Sequence, residues 1–199
     1  MAKHKIGIIG DGNVGSALER GLKRAGHDVR AVGNDDSAIS ETMTWADLVV
    51  LAVPFGALDS VADVADGVLA GKTVVDVTNA LDDNMNLALG FTTSGAEELQ
   101  KKLPKAHVVK AFNTVFARHM DSGKLGDEPL TAFMASDHAN AKNEVLELAR
   151  GIGFDAVDAG PLKNARLLEP LAYLNIQLGY ALGMGTKIGF KLLHGAEAA

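Results

Sequence analysis

Residues 5–36 read KIGIIGDGNVGSALERGLKRAGHDVRAVGNDD. Lys5 to Ile9 is a short apolar run, the kind a buried parallel strand shows. Gly10, Gly12 and Gly15 follow in the spacing G-x-G-x-x-G, with Asp11 inside the same loop. Val14, Ala17, Leu18, Gly21 and Leu22 then recur at helical spacing, while Glu19, Arg20, Lys23 and Arg24 fall on the other side. Gly26 ends that helix. His27 to Val32 begins a second strand, which runs into Asn34, Asp35 and Asp36.

A glycine triplet alone carries little information. Set between strand and helix, with an acid 20 residues beyond its last glycine, it is a dinucleotide fingerprint. Gly10 makes the tight turn, Gly12 leaves room for a pyrophosphate, and Gly15 lets the helix pack closely on the strand. Free N–H groups at the helix N-terminus face the phosphate charge. Asp35 is placed to accept hydrogen bonds from both hydroxyls of an adenosine ribose, which favours NAD(H). A 2′-phosphate about 5 Å from that carboxylate would be opposed by roughly 3 kcal/mol at an effective dielectric near 20. Asp36 is read as the cap of the segment that follows. Trp45, the only tryptophan, lies just past the two acids and is taken as a reporter of binding there.

The rest of the chain keeps alternating. Leu48 to Val53 is a third strand ended by Pro54, because proline has no N–H to donate. Phe55 to Leu69 reads as a helix. Thr73 to Val77 is a fourth strand, and Thr78 and Asn79 stand at its carboxyl end, where ligands bind in such sheets. Residues 82–93 lack periodicity and read as a loop. Ser94 to Leu103 is a charged helix. AHVVKAFNTVFARHM gives a fifth strand into Phe112 and Asn113, then a helix. LTAFMAS and FDAVDAG are further strands around an amphipathic helix, Ala139 to Arg150.

This alternation predicts an α/β, Rossmann-type doubly wound, mainly parallel sheet. It is read as a single domain over 1–199, with 161–193 as a C-terminal helical segment. Leu171, Leu174, Leu178, Ala181 and Leu182 make an apolar face there, beside Gly179 and Gly183. That face packs on its own sheet, forms a subunit contact, or does both. Pro170 is tolerated in a first turn or kinks the helix.

Composition narrows the function. A net charge of −6 argues against a broad nucleic-acid face. With no cysteine there are no disulfides, zinc thiolates or thiol nucleophiles. Histidines 4, 27, 107, 119, 138 and 194 lack ligand spacing, so no metal site is expected. His119 comes closest to the expected site, and a core or surface role is favoured for it. The apolar stretch Leu167 to Leu193 is interrupted by Glu169, Asn175, Gln177 and Lys187, which argues against a membrane span. With no signal-peptide pattern at the start, a cytoplasmic location is expected.

The stretches GIIGDGNVGSAL, DLVVLAVP, VVKAFNT and AGPLKNARLLEPL together resemble the dinucleotide-binding reductases related to coenzyme F420-dependent NADP oxidoreductase. The cytosolic domains of STEAP-type ferric reductases are similar. The match runs from about Lys5 to about Leu182. The resemblance implies hydride exchange between a nicotinamide and a flavin or deazaflavin, which requires alignment more than acid–base help. No catalytic side chain is therefore assigned. It implies that Gly12, Asn13 and Val14 hold the pyrophosphate and that Val53, Pro54 and Phe55 line the cofactor. It implies that Ala111, Phe112 and Asn113 approach the nicotinamide, with Asn113, Leu162 and Asn164 bordering the second substrate. It also implies NADP(H) and a homodimer. NADP-using members carry a Ser-Arg pair where this chain has Asn34 and Asp35, so the arginine that would read a 2′-phosphate is missing. Two other readings share the N-terminal pattern: a β-hydroxyacid or pyrroline-carboxylate-type dehydrogenase, and a non-catalytic NAD(H)-sensing module.

Overall fold

A computed structural model describes residues 3–65, 67–82, 84–193 and 195. His194 lies outside the described residues.

Strands β1 (Lys5–Ile9), β2 (Asp28–Val32), β3 (Leu48–Leu51), β4 (Thr73–Asp76) and β5 (His107–Lys110) form a parallel sheet in the order β2-β1-β3-β4-β5. Helix α1 (Asn13–Arg24) joins β1 to β2 on one face. The crossovers α2 (Asp36–Trp45), α3 (Leu58–Val64) and α4 (Gly95–Lys102) cover the other. Period-two alternation in the strands feeds both layers. Ile6, Ile8, Leu48, Val50, Val75 and Val109 pack with Ala17, Leu18 and Leu22 of α1. Ile9, Val49, Leu51, Val74 and Val108 pack with Ile39, Met43, Leu58, Val61 and Leu99 of α2 to α4. This is the doubly wound Rossmann-like fold read from the alternation.

Beyond β5 the chain makes a small hairpin, β6 (Lys124–Leu125) and β7 (Glu128–Pro129). Strand β8 (Thr131–Met134), helix α5 (Ala139–Ile152) and strand β9 (Asp155–Asp158) follow. β8 and β9 pair in parallel. They join β5 through paired hydrogen bonds between Lys110 and Ala135. Helix α5 packs on the α1 side, and α6 (Ala165–Ile176) extends the C-terminal part.

Four elements depart from the sequence reading. Helix α2 runs to Trp45, past the short helix of roughly Ser37 to Thr42 expected from the sequence. Phe55 to Leu69 is a turn over Phe55–Ala57 followed by α3 alone. No α-helix follows Asn113; only a tight turn, Ala117–His119, forms. β-Branched Thr114 and Val115 disfavour helix. Phe116 is drawn instead against Gly179, where an added Cβ would lie 2.6 Å from its ring. The C-terminal helix gives way at Gln177–Ala181 to a wider π-type turn. Pro170 sits inside α6, not in its first turn, and leaves the Arg166 carbonyl without its helical donor.

At the amino ends of the strands, opposite the glycine loop, sequence-distant histidines meet. His4 Nδ1 lies 3.2 Å from Glu144 of α5, and His107 stacks on His138 with ring centroids 4.3 Å apart. His27 is buried; its Nδ1 accepts the His4 N–H, and its Nε2 has no partner among the described residues. Burial, then the neighbouring His4, pushes the His27 imidazole below its ordinary value. A histidine depressed in the fold binds fewer protons than in the unfolded chain. Its contribution is therefore complete above about pH 6.5 and lost as pH falls through the folded value. Thermal melts should drop as pH falls below about 6.5, and His27→Gln should flatten that drop. An unchanged slope in the variant would remove His27 as its cause.

Candidate functional site

β1 and β3 are neighbours whose connections leave toward opposite faces, so a crevice opens at their carboxyl ends. The glycine loop shapes it. Gly10 has φ +106°, and a Cβ there would lie 2.3 Å from the Ala52 carbonyl oxygen. A Cβ on Gly15 would lie 1.8 Å from the Gly10 carbonyl oxygen. These two glycines are required by backbone contact. Gly12 is different: a Cβ there meets nothing within 4 Å. Gly12 is also the N-cap of α1, with no side chain bonded to the helix end and no acid in the first turn. The first-turn amides around Asn13, Val14 and Gly15 are left for an anion.

Gly10, Asp11, Gly12, Asn34, Val53 and Pro54 line one cleft of about 600 Å³. Asp36, Gly33 and Ala52 also line it, and Ile39, Ala57 and Val61 give it an apolar wall. Among the described residues no Lys or Arg lines it. The acid assignment made from sequence is reversed here. Asp35 caps α2, its Oδ1 accepting the Ala38 N–H at 2.8 Å, and does not line the cleft. Asp36, one residue on, does. The side chain of Asp11 lies over Gly33, where a Cβ would be 3.2 Å from its Oδ2. Phe55 is not a cleft residue either; its ring packs against Gly95 at the start of α4. Trp45 lies at the far end of α2, under Arg30 and near Lys5 at the amino edge of the sheet, so it is no reporter for this cleft.

A second group gathers at the carboxyl ends of β4 and β5. β4 lies one strand step from β3 and β5 two, about 5 and 10 Å. Asn79 and Asn113 pair through both amides: Asn113 Nδ2 donates to Asn79 Oδ1 at 3.0 Å, and Asn79 Nδ2 to the Asn113 carbonyl at 3.2 Å. Asn113 Nδ2 also donates to the Leu168 carbonyl of α6. The Oδ1 of Asn113 and the hydroxyls of Thr78 and Thr114 are buried with no partner among the described residues. Such orphaned oxygens carry a desolvation cost unless something binds them.

Other expected site residues serve the core. Ala111 is fully buried, and Phe112, at φ +61°, packs against Phe154. Leu162 is buried in the α2–α4 layer. Asn164 donates to the Ala159 carbonyl at 2.6 Å. Their side chains take part in packing and local turns. His119 is buried, with carbonyl oxygens of Lys124 and Thr186 at 3.1 and 3.0 Å from its two ring nitrogens. It ties the C-terminal tail to the hairpin.

Beneath the second group lies a charged cluster that the sequence reading missed. Lys110 is fully buried, and its Nζ donates to Asp76 Oδ2 at 2.9 Å, to Glu169 Oε1 at 2.9 Å and to the Thr78 carbonyl at 2.6 Å. Burial alone would push the ammonium down; Asp76 and Glu169 outweigh it and hold it above the ordinary lysine value. The signal was present: a lysine closing an apolar strand and a glutamate inside an apolar helix must find partners if buried.

Residues 5–80 match the family model described as NADP oxidoreductase, coenzyme F420-dependent. Metalloreductase STEAP3 of Rattus norvegicus is 31% identical over 84% of this chain, and the chain spans 36% of its length. The chain spans about a third of each of the metalloreductase relatives it matches. F420-dependent NADP reductase of Methanothermobacter thermautotrophicus is 29% identical, with 87% of each chain covered. A crystal structure from Arthrobacter sp. FB24, assigned as an F420-dependent NADP-reductase, superposes with a TM-score of 0.88 at 29% identity. It covers 96% of this chain and 100% of that one.

Proposed function

We infer that this chain belongs with the coenzyme F420-dependent NADP oxidoreductases and their reductase relatives, and that it is an NAD(P)-dependent oxidoreductase. One observation carries the dinucleotide reading. The open corner at Gly12 faces a helix N-terminus at the switch point of the sheet. The cofactor's pyrophosphate rests there, with Val53 and Pro54 along the chain of the dinucleotide. Its nicotinamide reaches toward Asn113, whose free Oδ1 supplies an acceptor for a carboxamide N–H. The second substrate is a planar flavin or deazaflavin, and the protein's contribution is to hold two rings in register while excluding water. The residues described fit a dinucleotide.

The cofactor of this reading is NADH, not NADPH. Asp11 and Asp36 stand at the ribose end of the cleft, and the resemblance sets Asn34 and Asp35 where NADP-using members carry a Ser-Arg pair. A 2′-phosphate would meet like charge worth about 3 kcal/mol. NADH is expected to bind about 100-fold more tightly than NADPH, read by the fluorescence of bound NADH and NADPH. Asp36→Arg is expected to close that gap at least tenfold. A preference that stays put in the variant would take the selectivity away from this carboxylate.

The large exposed side chains Leu167, Leu174, Tyr180, Leu182 and Met184 support a homodimer through the α6 region. Sedimentation of the protein alone tests this; a monomer at micromolar concentration would reject it. Among the described residues no helix is long and apolar enough to cross a membrane. A cytoplasmic setting completes the reading.

A further inference from the structure

The buried cluster lies at the meeting of four elements. Asp76 ends β4, Lys110 ends β5, Glu169 comes from α6, and Gly95 and Ala96 open α4. Glu169 Oε2 accepts the Gly95 N–H at 2.9 Å and its Oε1 the Ala96 N–H at 3.2 Å, so a carboxylate from α6 fills the anion-seeking end of α4. Gly95 leaves the room: a Cβ there would lie 3.3 Å from Glu169 Oε1. Arg166, one turn earlier on α6, grips Glu97 through two bonds of 2.8 and 2.7 Å. On the other side Asp76 Oδ1 accepts the Thr78 N–H at 2.9 Å while Lys110 holds the Thr78 carbonyl. Both backbone groups of Thr78, immediately before Asn79, are therefore fixed by the cluster. Leu168, immediately before Glu169, accepts from Asn113.

We propose that Glu169, Lys110 and Asp76 are positioning residues that set the register of the Asn79–Asn113 pair, and hence of the nicotinamide face, against α6. This rests on the reading given under Proposed function. A cluster needed only for stability would have no reason to hold the two backbone groups next to Asn79 and the residue next to the Asn113 acceptor. Buried ion clusters are commonly replaceable by neutral side chains with little loss of stability. Stability alone therefore does not call for these charges, whereas the geometry they fix does. Asparagine amides displaced by even an ångström would leave the rings out of alignment and slow transfer without altering how the pyrophosphate binds.

The test is Glu169→Gln, with turnover measured by NADH oxidation using FMN as the probe acceptor. The amide nitrogen of glutamine sets a donor against either Lys110 or an α4 N–H. NADH affinity is expected to stay within about twofold while kcat falls about 10- to 100-fold. The Gly95 and Ala96 amides should exchange hydrogen at least about tenfold faster. The triple variant Asp76→Asn, Lys110→Met, Glu169→Gln removes every charge. It is expected to melt within about 4 °C of the parent yet keep the low kcat. Full turnover in either folded variant overturns the proposal. So does a fall of kcat and NADH affinity together in step with melting temperature, which would make the cluster structural only. Should the parent bind NADH but reduce no flavin, the reaction reading fails. Amide exchange then still decides the cluster: unchanged Gly95 and Ala96 exchange in Glu169→Gln overturns it.

Discussion

Gly12→Val is expected to leave the protein folded and to weaken NADH binding at least about 100-fold. The expectation rests on an asymmetry among three glycines. A side chain at Gly10 or Gly15 would collide with backbone oxygens, so loss of binding there would be hard to separate from loss of fold. Gly12 has φ −69° and ψ −167°, a conformation valine adopts freely, and its Cβ would enter open space. That space is the approach to the α1 N–H groups. Three added carbons would hold a pyrophosphate off those donors, losing several charge-assisted hydrogen bonds at once. The melting temperature should stay within about 3 °C. Unchanged affinity in a folded Gly12→Val protein would move the dinucleotide elsewhere.

Lys110→Met is expected to destabilise the fold strongly, by about 3–5 kcal/mol. It leaves two fully buried carboxylates, Asp76 and Glu169, facing each other without a cation. It also strips the Thr78 carbonyl of its donor. The melting temperature should fall by roughly 6–20 °C, given about 2–4 °C per kcal/mol for a chain of this size. Urea unfolding should show a lower midpoint with an unchanged slope. The pH dependence has a definite sign. Because Lys110 is held above its ordinary value, the cluster's contribution is whole below about pH 10.5 and fades as pH rises through the folded value. A loss under about 1 kcal/mol would mean that water or rearranged side chains serve the carboxylates as well as the lysine does.

The frame of the molecule was legible because its signals are local and repeated. Apolar strands, the glycine loop and the helix-stopping Gly26 each follow from a few neighbouring residues. The cleft proposed for the dinucleotide was legible for the same reason, since Gly10 to Gly15 and Val53–Pro54 come from two adjacent turns. The acids were harder. Which of Asp35 and Asp36 caps α2 depends on a one-residue choice of helix start, and it sends the other into the cleft. Ala111, Phe112 and Leu162 belong to stretches singled out by resemblance, but their side chains point into packed layers that sequence order does not reveal. Lys110 and Glu169 are far apart in the chain and become partners only when α6 lies across β4 and β5. The four histidines at the amino ends of the strands are joined by topology and not by spacing. The helix beyond Ile176 failed to continue because Phe116 enters beside Gly179, a long-range contact.

The most direct measurement is reduction of free flavin or deazaflavin by NADH deuterated at the transferred position, with oxygen excluded and the protein limiting. Saturable, protein-dependent reduction with a primary isotope effect, abolished in Gly12→Val, is expected. Tight NADH binding with no reduction of either acceptor would contradict this and leave a protein that senses the dinucleotide without turning it over.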